Sequence, residues 1–318
     1  MEVVILDSGY KSYAFEKELF EKNGFILKIH PLYKGEPSEK KYFARNAHGV
    51  LVRHTAIDES FLSGMKNLKA VVRYGVGYDN IDVKACTEYN VKVANVQGYA
   101  SHAVSDHAVA LMLSCTRAMW NAESQLLKGF GSPPAPDIFE LHDKILGIIG
   151  IGRIGSEFCK KASSFFSRVL ACDPYKPDIH FNQLSAQRVE LDELLERSDV
   201  ISLHCNLTNE TRHLLNKEKF LKMKKKPVII NTSRGEVISE KALLYALNSG
   251  MIHSAGLDVY EDEPITGKQS KLVSHPRTIC TGHYAWYSDK ASLELQRRAA
   301  LNLLNLLLGN KVEDCLNC

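Results

Sequence analysis

A chain of 318 residues that is 45% hydrophobic and 24% charged has the make-up of an ordinary globular protein, and it is long enough for two domains. Its formal net charge of +3 is too small to argue for nucleic acid or an anionic membrane as a partner. The opening residues, Met1 to Asp7, include an acid and no long apolar core, so they do not read as a signal peptide, and no run approaches membrane-spanning length.

Residues 1 to about 100 alternate between strand and helix. Strands are predicted at 3–7, 25–30, 49–53 and 69–73, with a helix at 13–21. Such alternation implies a parallel sheet with helices on its faces, and in the absence of a dinucleotide fingerprint it marks a candidate substrate domain. The loop Arg73-Tyr-Gly-Val-Gly-Tyr-Asp-Asn-Ile-Asp82 leaves the last of these strands and enters a helix near Asp79. Gly75 and Gly77 free its backbone, which places the Val76 and Gly77 N–H groups to face an anion. A turn that simply needs positive φ accounts for the same residues equally well. Residues 101–127 form a predicted long helix with Val104, His107, Ala108, Leu111, Met112 and Cys115 on one face, expected to cross from the first domain to the second. His102 and His107 are not spaced i, i+4 and lack a helix-borne acid, so they do not suggest a metal. A glycine- and proline-rich loop over 129–136 follows.

The run Lys144-Ile-Leu-Gly-Ile-Ile-Gly-Ile-Gly-Arg-Ile-Gly155 is the most informative stretch. Residues 145–149 read as a buried parallel strand. Gly150, Gly152 and Gly155 follow at the spacing G-x-G-x-x-G, and 156–164 read as a helix. In strand–turn–helix context the first glycine permits a tight turn, the second lets backbone approach a pyrophosphate, and the third lets helix pack on strand. The helix start offers N–H groups and a positive dipole end to phosphate. A second apolar run, 168–172, ends on Asp173, 18 residues after Gly155. A carboxylate there hydrogen-bonds the ribose hydroxyls and repels a 2′-phosphate, which indicates NAD rather than NADP.

Alternation then continues: strands at 200–204, 228–231, 254–257 and 278–280, and helices at 191–197, 217–223 and 240–248. The run Lys222, Lys224, Lys225, Lys226 reads as cations near a helix C-terminus, not a nucleic-acid patch. Ser288 caps a closing helix to Leu308 that stops at Gly309, with Ala299, Leu303, Leu306 and Leu307 as its core stripe; it is expected to return to the first domain. Eight scattered cysteines, several inside apolar runs, suggest a cytoplasmic protein. The closing Cys315-x-x-Cys318 lacks a second pair and reads as a free tail, with no metal site.

Three further segments end strands on polar groups: Asn231-Thr-Ser-Arg-Gly-Glu236, Gly256-Leu-Asp-Val-Tyr-Glu-Asp-Glu-Pro264 and Thr281-Gly-His-Tyr-Ala-Trp286. Together with the 73–82 loop, the glycine fingerprint, Asp173 and Leu203-His-Cys-Asn-Leu207, they resemble the D-isomer-specific 2-hydroxyacid dehydrogenase family over about residues 73–300. The resemblance implies an α/β fold of two Rossmann-like, doubly wound parallel-sheet domains. The NAD-binding domain (101–286) is inserted in a flavodoxin-like substrate domain (1–100 plus 287–318), with the active site in the cleft between them. It implies an NAD-dependent oxidoreductase interconverting a 2-oxoacid and a D-2-hydroxyacid. Arg234 would bind the substrate's carboxylate and carbonyl oxygens, His283 would be the general acid/base, and Glu263 would pair with it. Gly150, Gly152, Arg153, Ile154 and Gly155 would hold the pyrophosphate, and Asp173 the ribose. Cys205 and Thr232 would line the cofactor, and Asp258 would take the nicotinamide amide. Val76 and Gly77 would hold the substrate carboxylate. Trp286 would either wall the substrate pocket or pack at the helix start. Asn206 departs from the family, which often has proline there. The expected partners are a small 2-oxoacid or 2-hydroxyacid and a second copy of the chain as a homodimer, without nucleic acid or membrane. An NAD(H)-sensing corepressor-like protein on the same fold is the alternative, and the lack of long terminal extensions favours the enzyme. A formate dehydrogenase relative ranks last, because those proteins have an amide where Glu263 stands.

Overall fold

The computed structural model describes residues 1–32, 35–119, 122, 126–129, 138–263 and 270–318. The chain divides into two compact units, Met1–Tyr99 with Ser288–Cys318, and Ala100–Tyr287.

In the first unit, β1 (Glu2–Ile5), α1 (Ala14–Lys22), β2 (Ile26–Ile29), α2 (Pro37–Ala44), β3 (Gly49–Val52), α3 (Glu59–Leu62), β4 (Ala70–Arg73), α4 (Val83–Glu88) and β5 (Lys92–Ala94) build one sheet of order β2-β1-β3-β4-β5. All its pairings are parallel, which is the flavodoxin-like order. Central β3 is buried along its whole length, so its sequence Gly-Val-Leu-Val has no polar alternation. The closing helix, Asp289–Leu307, begins where Ser288 accepts the Ala291 N–H, and it buries Ala299, Leu303, Leu306 and Leu307 within this unit. The helix expected near Asp79 starts later, at Val83, because Asp82 is the cap: its side chain accepts from Ala85 N–H. Helices α2 and α3 and strand β5 were not anticipated; the last two are only four and three residues long, too short for a periodic signal.

The second unit contains α5 (Ser101–Thr116), β6 (Ile145–Ile149), α6 (Arg153–Ala162), β7 (Arg168–Cys172), α7 (Asp178–Gln183), β8 (Gln187–Arg188), α8 (Leu191–Arg197), β9 (Val200–Leu203), α9 (Lys217–Leu221), β10 (Val228–Asn231), α10 (Glu240–Asn248), β11 (Ser254–Leu257) and β12 (Thr278–Cys280). Its sheet is parallel throughout, in the order β12-β11-β10-β9-β6-β7-β8. The strand order reverses between β6 and β9, and such switch points are where doubly wound sheets bind ligands. The helical stretch expected over 101–127 is interrupted: α5 ends at Thr116, Arg117 leaves helical geometry and Ala118 has φ of 49°, and Met119, Ala122, Leu126 and Leu127 are helical again. Of the 129–136 loop, only Gly129 lies within the described residues. The lysine run follows α9; Lys222 pairs with Asp192 and Lys224 with Glu196. Among the described residues no helix is long and apolar enough to cross a membrane.

The free-tail reading of the C-terminus is corrected. Cys315 and Cys318 are joined in a disulfide, and the tail docks on β5. Cys315 bridges Ala94 in antiparallel sense, Leu316 N–H donates to Val93 O at 2.8 Å, and Asn317 Oδ1 accepts Val93 N–H at 2.7 Å. The edge of β5 would otherwise present unpaired backbone groups, and the tail satisfies them. Arg298 anchors the tail further through Asp314 Oδ2 at 2.8 Å.

Directly after β1, Asp7 organises the carboxyl edge of the first sheet. Its Oδ2 accepts the N–H groups of Arg53, His54 and Thr55 at 2.7, 2.8 and 3.0 Å, and its Oδ1 meets Lys40 and the Thr55 hydroxyl. Asp7 and Lys40 are both buried. Burial pushes the Asp7 carboxyl up, but the hydrogen bonds from Lys40, Thr55 and His54 outweigh it and bring it down to about 2. A depressed carboxylate pKa means stability that is complete above the ordinary value of 3.8 and lost as the pH falls through about 2, worth roughly 2 kcal/mol. Asp7→Asn, which strands a buried ammonium, should cost about 3–5 kcal/mol in urea unfolding followed by circular dichroism. A cost below about 1 kcal/mol, the range of an exposed pair, would show that Asp7 is not an organising contact.

Candidate active site

The candidate site residues of the second unit stand on one line because of the sheet's register. Cys172 pairs with Ile149, Ile149 with Leu203, Leu203 with Asn231, Asn231 with Leu257, and Leu257 with Cys280. These are the last residues of six adjacent strands. One position further, the chain presents Asp173, Gly150, His204, Thr232, Asp258 and Thr281 along a single carboxyl edge. Carboxyl edges of parallel sheets bind ligands because the chain turns there into loops and helix N-termini, with backbone groups left to donate.

At the switch point the three glycines do different work. Gly150 has φ of 86°, and a Cβ there would lie 2.8 Å from Cys205 N. At Gly155 a Cβ would fall 2.0 Å from Gly150 O, so the helix can seat on the strand only without a side chain. A Cβ at Gly152 would meet nothing within 4 Å, so there is open space in front of the turn. Helix α6 starts at Arg153 with Gly152 as its cap, three residues earlier than the sequence pattern indicates, which puts the N–H groups of Arg153 and Ile154 in the first turn. Asp173 is already oriented: Oδ2 accepts Ile151 N–H and Oδ1 accepts Tyr175 N–H, each at 3.0 Å. Beneath the turn, His204 stacks on Phe158 and bonds Ser202 Oγ at 2.9 Å. Burial drives its pKa down to about 3, so it is a neutral filler and not a cation. Burial likewise pushes the Cys205 thiol up to about 12, which keeps that wall uncharged. Thr232 Oγ1 is buried with no hydrogen-bond partner among the described residues. An open glycine turn, an oriented carboxylate and an orphaned buried hydroxyl on one edge fit a dinucleotide.

On the other flank the polar groups converge. Asn231 staples the turn after β10: its Oδ1 accepts Ser233 N–H at 3.0 Å and its Nδ2 donates to Arg234 O at 2.9 Å. Glu263 Oε1 accepts Tyr260 N–H at 3.0 Å, while Oε2 meets His283 Nδ1. Burial raises the Glu263 carboxyl, but the bond and charge of His283, the Tyr260 N–H and the charge of Arg234 together bring it below the ordinary 4.5. Glu263 is therefore an acceptor at neutral pH, so His283 Nδ1 holds the proton of that bond and its Nε2 lies outside the pair. His283 remains 39% exposed, enough for a small molecule to reach it.

The backbone at His283 is unusual. Its φ is 55°, in the left-handed region that histidine visits more than most residues but that still costs about 1–3 kcal/mol. Asp258, 1% exposed, holds it there. The Asp258 carbonyl accepts His283 N–H at 2.8 Å, Oδ1 accepts Tyr284 N–H at 3.1 Å and the Thr281 hydroxyl, and Oδ2 accepts Ala285 N–H at 2.9 Å. Trp286 Nε1 donates to His283 O at 3.1 Å, so the indole braces the histidine's own backbone. Thr281 and the Tyr260 N–H escaped the sequence reading, since a threonine and a backbone group have no distinguishing pattern. In the first unit, Gly75 has φ of 141° and the Val76 carbonyl accepts Asn95 Nδ2 at 2.6 Å. Among the described residues no cluster of three or more His, Cys, Asp or Glu side chains is arranged to hold a metal ion.

Residues 109–285 match the family model described as the D-isomer specific 2-hydroxyacid dehydrogenase NAD-binding domain. A hydroxypyruvate reductase from Thermotoga maritima is 39% identical over 300 residues, covering 94% of each chain. A D-3-phosphoglycerate dehydrogenase from Archaeoglobus fulgidus is 34% identical over 84% of this chain and 51% of its own length. Among solved structures, D-lactate dehydrogenase from Aquifex aeolicus, complexed with NAD and lactic acid, superposes with a TM-score of 0.86 at 28% identity, covering 98% of this chain and 96% of that one. The fingerprint, the strand-end row and these likenesses agree: the chain belongs to the D-isomer-specific 2-hydroxyacid dehydrogenase family, and residues 109–285 are its NAD-binding domain.

Proposed function

We propose that this protein reduces a small 2-oxoacid to the D-2-hydroxyacid, with His283 as proton donor and Arg234 as the group that grips the substrate. The observation that supports this most is the His283–Glu263 pair, made through Nδ1, with the charge of Arg234 felt at the same carboxylate. When bound, NADH supplies the hydride to the substrate's C2. Protonated His283 gives its Nε2 proton to the oxygen on C2, and Glu263 stabilises the imidazolium through Nδ1. The Arg234 guanidinium polarises the carbonyl and fixes the carboxylate by two-point contact. We assign the Val76 and Gly77 N–H groups to the substrate carboxylate as well, since neither bonds within the chain among the described residues. Gly150, Gly152, Arg153, Ile154 and Gly155 are assigned to the pyrophosphate, Asp173 to the ribose, and Cys205 and Thr232 to the cofactor wall. Asp258 is assigned to the nicotinamide amide in addition to its hold on the 281–285 segment. Trp286, which bonds the histidine's carbonyl, is assigned to the substrate side of the site. Six free thiols among the described residues support a reducing, cytoplasmic setting, with the Cys315–Cys318 disulfide as the exception, and the family resemblance supports a homodimer.

A panel of glyoxylate, hydroxypyruvate, pyruvate and bulkier 2-oxoacids with NADH, read at the nicotinamide absorbance, tests the activity. A folded, NADH-binding sample that turns over none of them refutes it. His283→Ala should lower kcat by about 10²–10⁴ while NADH binding survives. Glu263→Gln, which keeps an acceptor near Nδ1 but removes the charge, should lower kcat by about tenfold or more while NADH binding survives. An unchanged kcat would detach Glu263 from the histidine. Asp173→Ala should improve kcat/KM with NADPH relative to NADH by about tenfold or more, as a repelling charge is removed. A wild type that already prefers NADPH would overturn the assignment of Asp173.

A further inference from the structure

The clamp on the left-handed His283 has a second layer that no assigned role accounts for. His107 projects from α5, a different element from any bearing the proposed chemistry. Its Nε2 lies 2.9 Å from Thr281 Oγ1 and 3.7 Å from Asp258 Oδ1. Its ring packs edge-on against Tyr284, with centroids 5.2 Å apart. Thr281 has a single hydroxyl proton, and Asp258 Oδ1 takes it. The Thr281 oxygen can therefore only accept from His107, which makes Nε2 the protonated nitrogen. The order of donation runs from His107 Nε2–H to Thr281 O–H to the Asp258 carboxylate. Asp258 in turn holds the N–H groups on either side of the strained residue: His283 through its carbonyl, Tyr284 and Ala285 through its carboxylate.

We infer that His107 is a positioning residue for His283, acting through Thr281 and Asp258 to keep the acid–base histidine in its left-handed backbone conformation. Burial disfavours an imidazolium here more than the Asp258 charge favours one, so the ring donates as a neutral group. A cation facing Asp258 would compete with the Thr281 hydroxyl for Oδ1, whereas a neutral donor leaves both carboxylate oxygens to the 281–285 segment. The position of His107 on α5 also explains how the loop is tied down. Helix α5 packs along β10, β11 and β12, so the ring reaches the loop from a rigid support.

This inference rests on the acid–base role proposed for His283, and its test separates the two. Four proteins are compared: wild type, His107→Phe, which keeps an aromatic edge for Tyr284 but lacks the donor, His107→Gln, which restores an N–H near the Nε2 position, and Thr281→Val. The substrate is whichever of hydroxypyruvate, glyoxylate or pyruvate the wild type reduces fastest with NADH. His107→Phe and Thr281→Val should each lower kcat by about tenfold, with KM and the NADH Kd within about twofold, as misplacing a catalytic group by under an ångström does. His107→Gln should recover most of the loss. The double variant His107→Phe/Thr281→Val should cost no more than Thr281→Val alone, because both remove one chain of donation; additive losses would overturn the inference. Ring ¹⁵N shifts supply a readout that needs no turnover. His107 should show a protonated Nε2 at neutral pH, and the His283 resonances should move in His107→Phe and Thr281→Val and return in His107→Gln. Unmoved His283 resonances would refute the positioning role even if the enzyme is active. Moved resonances in a protein that reduces no 2-oxoacid would refute the acid–base reading and leave the clamp intact.

Discussion

The parallel ladder of the second unit is the constraint from which its chemistry follows. A parallel pair has one repeating hydrogen-bond pattern, so once Ile149 sits opposite Leu203 and Leu203 opposite Asn231, the ends of all the strands are aligned. Strands buried on both faces cannot slip by a residue without exposing apolar groups or burying polar ones, and β9, β10 and β11 are buried at every position. The edge is therefore a rigid shelf. The glycine turn, Asp173 and the start of the histidine loop are placed by the same ladder.

On this shelf the structure spends conformational energy at one point. His283 is held left-handed by Asp258, whose buried carboxylate accepts three hydrogen bonds and whose carbonyl accepts a fourth. A buried carboxylate without such donors would be costly, and a left-handed histidine without such acceptors would relax. Each makes the other tenable. The first unit repeats the device with Asp7, whose carboxylate collects three consecutive N–H groups after β3. In both units a buried aspartate one or two residues past a strand end shapes a loop at the carboxyl edge.

Much of the site was legible as chemistry. Gly150, Gly152, Gly155 and Asp173 form a pattern whose spacing has a mechanical cause, and Arg234 and His283 stand just past apolar runs, whereas Glu263 was singled out only through the family resemblance. Other parts were not. Thr281 and His107 are 174 positions apart and meet only when α5 lies against the sheet. The free-tail reading of Cys315 and Cys318 failed for a related reason: the edge of β5 that receives the tail exists only after the sheet has formed, and β5 is three residues long. The break in the helix expected over 101–127 was not legible, because the apolar face continues in the sequence across the left-handed turn at Ala118.

Local order was thus determined by the sequence itself: which runs are strands, where the dinucleotide turn lies, and which side chains are able to bind an anion or move a proton. These depend on neighbours within a few residues, through φ/ψ preference, apolar periodicity and side-chain chemistry. The tertiary structure alone decided which nitrogen of His283 carries its structural proton, what conformation its backbone takes, and that Asp258 and His107 stand behind it. Those facts are set by hydrogen bonds between residues far apart in the chain, and such a bond has no local signature until packing brings donor and acceptor within about 3 Å.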